Sequence, residues 1–144
     1  MKILVVDDEA LARTRLVRML GSLGHENAQE AGSADEALER VQQEEFDVVF
    51  LDINMPKKSG LELGYELKYL SEDIAIIFQT AYEEHALKAF DIGAVGYLVK
   101  PYSTEQLRQT LDRVLKAKQA QPKEYRLLSK YGDAHLLLRP DEIA

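Results

Sequence analysis

Asp47-Val48-Val49-Phe50-Leu51-Asp52 decides the fold. Four apolar residues between two carboxylates are too short for a helix and do not alternate, so they read as a strand covered on both faces. Upstream, Ile3-Leu4-Val5-Val6 has the same character and runs into Asp7-Asp8. Downstream, Ile74 to Phe78 and Val95 to Val99 repeat it, the first ending near Thr80 and the second at Lys100-Pro101. A weaker, polar candidate, Glu26 to Ala31, reads as an edge strand. Between these lie helical patterns. Ala10 to Leu20 is closed by Gly21 and Gly24, and Ser33 with Glu36 opens a helix carrying Ala37, Leu38 and Val41. Leu61, Leu63, Leu67 and Leu70 mark a third helix, and Glu83 to Ile92 a fourth. Ser103 with Gln106 opens a fifth, running to about Lys118. Five strands alternating with five helices predict an α/β fold, a doubly wound parallel sheet with right-handed crossovers.

The chain of 144 residues is 46% hydrophobic and 30% charged, the profile of one globular core with an appendage. Its 25 acidic against 18 basic residues argue against a chain that binds nucleic acid along its whole length. The absence of cysteine excludes a disulfide scaffold, a zinc finger and a cysteine nucleophile. No apolar run approaches a membrane span, and the opening Met1 to Asp8 lacks a signal peptide's pattern, so the expected location is the cytoplasm.

After Lys118 the character changes. Residues 119–124 read as a polar linker. Tyr125 to Leu128 and His135 to Leu138 then read as two strands around Gly132-Asp133, a short C-terminal β extension. All of the net charge of −7 lies before residue 119. Two strands are marginal alone, so the tail reads as the start of a second domain, with a docked hairpin as the alternative.

In an open parallel sheet, ligands bind beyond the carboxyl ends of the strands. Asp7, Asp8, Asp52, Thr80 and Lys100 all fall at that edge. Gathered carboxylates repel and need a cation, and oxygen ligands favour a hard divalent ion, Mg²⁺ before Ca²⁺. A metal, a lysine and a hydroxyl around one carboxylate make a place for three phosphoryl oxygens, and a carboxylate can take a phosphoryl group as nucleophile. Asp52, at the middle of the set, is the candidate acceptor, with Asp7 and Asp8 as metal acids. His25, His85 and His135 have no partner pattern and read as surface residues, and no phosphate-cradling glycine loop is present.

Val5-Val6-Asp7-Asp8-Glu9, Leu51-Asp52-Ile53-Asn54-Met55-Pro56 with Gly60, Thr80-Ala81 and Lys100-Pro101 together resemble the receiver domain of two-component response regulators. The likeness covers residues 1–118. It implies a flavodoxin-like strand order 2-1-3-4-5 and phosphoryl transfer to Asp52 from a histidine kinase. It implies Mg²⁺ held by Asp8, Asp52 and the Asn54 carbonyl, with Asp7 acting through water. Thr80 and Lys100 are implied as phosphoryl-oxygen ligands, Tyr97 as a switch residue coupled to Thr80, and Lys100-Pro101 as a cis bond.

Ala81 to Phe90 and Gly96 to Pro101 are similar to the LytR/AlgR type, which carries a LytTR DNA-binding domain. Residues 125–144 then resemble the beginning of that domain. The implied protein is not an enzyme but a signalling phosphoacceptor that at most catalyses its own phosphorylation and dephosphorylation. Its implied partners are a kinase, DNA through the output domain, and a second copy through helix four, strand five and helix five. Two alternatives stand beside it. A haloacid-dehalogenase-like phosphatase would want Asp-x-Asp after strand one, whereas Asp7 and Asp8 are adjacent. A pure interaction module would be marked by loss of Asp52, Thr80 or Lys100, and all three are present.

Overall fold

A computed structural model describes residues 1–81 and 86–120. Its elements are β1 (Ile3–Val6), α1 (Ala10–Ser22), β2 (Gln29–Ala31), α2 (Ala34–Gln43), β3 (Val48–Asp52), α3 (Gly60–Leu70), β4 (Ala75–Thr80), α4 (Ala86–Ile92), β5 (Gly96–Val99) and α5 (Thr104–Ala120). All pairings are parallel, and the sheet order is β2-β1-β3-β4-β5. The alternation and strand order expected from the sequence are both present.

Strand residues divide by parity between two cores. Leu4, Val6, Val49, Leu51, Ile76 and Phe78 face Ala37 of α2, Leu63 and Leu67 of α3 and Ala89 of α4. Ile3, Val5, Val48, Phe50 and Ile77 face Leu16 and Leu20 of α1 and Leu107, Leu111 and Val114 of α5. β1, β3 and β4 are buried on both faces, which is why their sequences are continuous apolar runs. β2 lies at an edge and is only three residues long, shorter than the six-residue polar stretch suggested.

The Ser33 hydroxyl accepts the Glu36 amide at 3.1 Å, and Ser103 and Gln106 cap α5 reciprocally (3.1 and 2.8 Å). The same device at Ser59, which accepts the Glu62 amide at 3.2 Å, opens α3. α1 continues through Gly21 to Ser22, because Gly21 keeps ordinary helical geometry and the left-handed turn falls at Gly24 (φ 96°). α5 continues to Ala120, two residues into the stretch read as linker. The tail strands and residues 82–85, the expected start of helix four, lie outside the described residues. Among the described residues no helix is long and apolar enough to cross a membrane.

Candidate functional site

β1, β3, β4 and β5 end at one edge of the sheet, and each delivers a polar group there. Asp7 follows β1, Asp52 ends β3, Thr80 ends β4, and Lys100 follows β5. Asp7, Thr80 and Asp52 are all buried, whereas Asp8 is exposed.

One local device shapes both buried acids. Asp7 Oδ1 accepts the amide of Glu9 at 3.0 Å, and Asp52 Oδ1 accepts the amide of Asn54 at 3.1 Å. Each is an aspartate folding back on its own backbone two residues on, which turns the chain as it leaves the strand. The remaining oxygens face a shared cation: Lys100 Nζ lies 3.0 Å from Asp7 Oδ2 and 3.4 Å from Asp52 Oδ2. The Asn54 side-chain amide donates to Thr80 Oγ1 at 3.4 Å. The Lys100 backbone amide donates to the Thr80 carbonyl at 2.7 Å, tying the fifth strand end to the fourth.

Burial pushes the Asp52 carboxyl up to about 6; Lys100 pulls it down, the Asp7 charge pushes it up again, and the Asn54 amide lowers it. Burial lowers the Lys100 ammonium, but hydrogen bonding and charge from Asp7 and Asp52 outweigh it and leave Lys100 above its ordinary value.

Asp7, Asp8 and Asp52 offer carboxylate oxygens that lie within 4.8 Å of one another. Two of these acids are buried and only hard oxygen donors are present, so the donor set suits a small divalent cation that keeps part of its water. Tyr97 lies on β5. It pairs in register with Phe78 on β5 and packs half-buried on the α2–α3–α4 side, the face that Thr80 also takes by strand alternation. The Lys100–Pro101 peptide is cis.

Two contributors, Arg13 and Lys57, escaped the sequence reading, and a third, Gly60, entered it as a motif residue without a stated role. A Cβ on Gly60 would collide with the backbone carbonyl of Asp52, so only glycine lets α3 start this close to β3, and the Gly60 amide donates to the Ile53 carbonyl at 2.8 Å. Arg13 of α1 donates to the Asp7 backbone carbonyl at 2.6 Å and pairs with Glu30 at 3.2 Å. Lys57, in the loop after Asp52, is left-handed (φ 70°), and across it the Lys58 amide donates to the Pro56 carbonyl at 2.8 Å. No periodicity signals these contacts. The Asp-x-Asn spacing after β3 is the one local hint, because it is an aspartate turn.

A parallel five-stranded sheet with a buried acid pair, a lysine and a threonine at its carboxyl edge defines a class of signalling domain. Residues 3–112 match the response regulator receiver domain, and the chain belongs to that family. Among its relatives is the transcriptional regulatory protein LytR of Staphylococcus aureus, 37% identical over 115 residues, which are 79% of this chain and 47% of that protein. Sensory transduction protein LytT of Bacillus cereus is 42% identical over 122 residues, 84% of this chain and 50% of that protein. The chain spans about half the length of these curated relatives. Among solved structures, a CheY-like receiver domain protein from Methanospirillum hungatei superposes with a TM-score of 0.76 at 27% identity, covering 82% of this chain and 95% of that one. Response regulator protein TrrA of Thermotoga maritima, solved in complex with Mg²⁺-BeF, superposes with a TM-score of 0.72 at 35% identity, covering 78% and 97%.

Proposed function

We propose that this chain is the phosphorylated switch of a transcriptional response regulator, with Asp52 as the acceptor. The observation that carries this reading is the convergence of Asp7, Asp8, Asp52, Thr80 and Lys100 at one sheet edge, with Lys100 within 3.4 Å of both buried acids. An Asp52 carboxylate oxygen attacks the phosphorus of a kinase phosphohistidine. The P–O bond forms, the P–N bond breaks, and the imidazole leaves. Lys100 and the Thr80 hydroxyl hold phosphoryl oxygens. Asp8, Asp52 and the Asn54 carbonyl would hold Mg²⁺, with Asp7 acting through water, and the ion would neutralise charge on the transferring group.

Phosphorylation then biases two arrangements of Thr80 and Tyr97 and so remodels α4, β5 and α5, the proposed surface for a second copy. The receiver runs to the end of α5 at Ala120, two residues past the boundary read from the sequence, with the rest of 119–124 as the linker and 125–144 as the beginning of a LytTR-type DNA-binding domain, all placed in the cytoplasm. The names of the staphylococcal and bacillus relatives support a regulatory output, and the TrrA complex supports the metal.

Intact mass spectrometry after incubation with acetyl phosphate and Mg²⁺ tests the assignment. One added phosphoryl group is expected in the wild type and none in Asp52→Asn or without Mg²⁺. No adduct on wild-type protein with bound Mg²⁺ overturns it, and steady release of inorganic phosphate would replace it with a phosphatase.

A further inference from the structure

Beneath the acidic site, on the α1–α5 side of the sheet, the apolar layer contains one side-chain contact that the proposed transfer does not use. Gln79 is 2% exposed on β4, and its Oε1 accepts a hydrogen bond from the Tyr102 hydroxyl at 2.7 Å. Its Nε2 is buried with no hydrogen-bond partner. Leaving an amide donor unsatisfied in a core is costly, and a leucine or methionine would fill the same space without that cost. The amide is therefore kept for its oxygen, and the oxygen binds Tyr102.

The place of the two residues says what that bond can do. Gln79 is the register partner of Asp52, and its backbone carbonyl accepts the Ile53 amide at 3.3 Å, so it belongs to the rigid frame around the acceptor. Tyr102 stands two residues after Lys100. The loop carrying Lys100 is thus tied to β4 at the lysine itself and again two residues beyond it. The backbone tie is Lys100 to Thr80 (2.7 Å), and the side-chain tie is Tyr102 to Gln79. The second tie matters because a gap separates part of the loop from α1, although the Tyr102 ring itself packs against the α1–α5 core. A cleft of about 260 Å³, lined by Lys100, Pro101 and Tyr102 on one side and Arg15, Leu16 and Met19 on the other, leaves it room to move.

We propose that Tyr102 and Gln79 are positioning residues: their hydrogen bond holds the loop after β5 at the distance from β4 that places the Lys100 ammonium between Asp7 and Asp52. The inference rests on Lys100 binding phosphoryl oxygens. Without the phenol–amide bond the loop pivots about the Thr80 tie into the cleft, and the flexible lysine stem loses its direction.

The test uses Tyr102→Phe, Gln79→Leu and the double variant in the full chain, comparing the phosphorylation rate from acetyl phosphate at saturating Mg²⁺ with Mg²⁺ affinity and thermal midpoint. Misplacing a reacting group is expensive, so each variant should slow phosphorylation by about fivefold or more while Mg²⁺ affinity stays within about twofold. The double should be no slower than the worse single variant, because both remove one bond. It should nonetheless recover thermal stability, because no unsatisfied polar atom remains. Recovery of rate together with stability in the double, or unchanged rates in all three, overturns the inference and leaves the pair a packing contact. If the wild type itself takes no phosphoryl group, the functional reading has failed, and crystal structures of the metal-free variants decide the positioning. Lys100 must leave its 3.0 Å contact with Asp7 in Tyr102→Phe, and its retention overturns the inference.

Discussion

Two clusters in this molecule each set one cation between two carboxylates. At the sheet edge Lys100 meets Asp7 and Asp52, whose side chains are 0% and 8% exposed. On α5, Arg108 meets Glu105 and, at 2.8 Å, Asp112, with side chains about half exposed on all three. The helix cluster joins neighbours one turn apart, sits in water and is screened, and it holds Glu105 below its usual range through the Arg108 hydrogen bond. The edge cluster joins three separate strand ends in a place where charge is poorly solvated, and there Asp52 is pushed up despite the adjacent lysine. The difference teaches that composition does not make a reactive site. Burial gives the same three charges an unresolved tension, which a metal and a phosphoryl group can relieve.

Removing the cation should separate the clusters most. In metal-free protein at pH 8, Lys100→Met should destabilise by about 3 kcal/mol, because it strands two buried carboxylates, whereas Arg108→Met, in a solvated cluster, should change stability far less. Urea unfolding measures both, and equal losses would break the contrast. Mg²⁺ should restore more stability to Lys100→Met than it adds to the wild type.

The acids offer a second test through pH. Burial pushes the folded Asp52 carboxyl up to about 6, above the roughly 3.9 of an unperturbed aspartate, so the folded state binds its proton more tightly than the unfolded chain. Its contribution is most favourable below about pH 4 and is lost as pH rises to about 6, at most about 3 kcal/mol in metal-free protein. The stability of Asp52→Asn relative to wild type should therefore climb across that window and level off above it. A difference that stays flat from pH 4 to 7 would place Asp52 in a wet environment like that of the helix cluster.

Salt sharpens the comparison further. At 1 M NaCl, where screening reaches about 3 Å, Arg108→Met should become neutral while most of the Lys100→Met deficit remains. The smallest expected effect concerns the loop after Asp52. Lys57→Gly should stabilise by about 0.5 kcal/mol, the relief of a left-handed lysine less the entropy of glycine. A loss of stability instead would mean that the Lys57 side chain makes a contact worth more than the strain.

The doubly covered strands were legible because burial on both faces demands uninterrupted apolar runs, as at Ile3–Val6 and Val48–Asp52. β2 was blurred because an edge strand of three residues leaves little pattern, and β4 runs past its apolar stretch to Gln79 and Thr80 because the polar positions serve the site. The acids, Thr80 and Lys100 could be placed from chain position alone, since parallel strands deliver their ends to one edge. The contacts of Arg13 and Gly60 and the Gln79–Tyr102 bond could not, because each depends on how closely two elements approach, and that distance has no signature in either partner's own stretch.

The cluster at the sheet edge also has a timetable. Lys100 lies 93 residues after Asp7 and 48 after Asp52. At a synthesis rate of about 5–20 residues per second, the ribosome delivers the lysine roughly 2–10 s after the second buried acid. For that interval the newborn chain carries an acid-lined half-sheet with no lysine to balance it. The centre of the sheet can close with its charges matched only after β5 has emerged. Translational pausing between codons 52 and 100 would prolong the most hydrated and least protected stage of this domain's life.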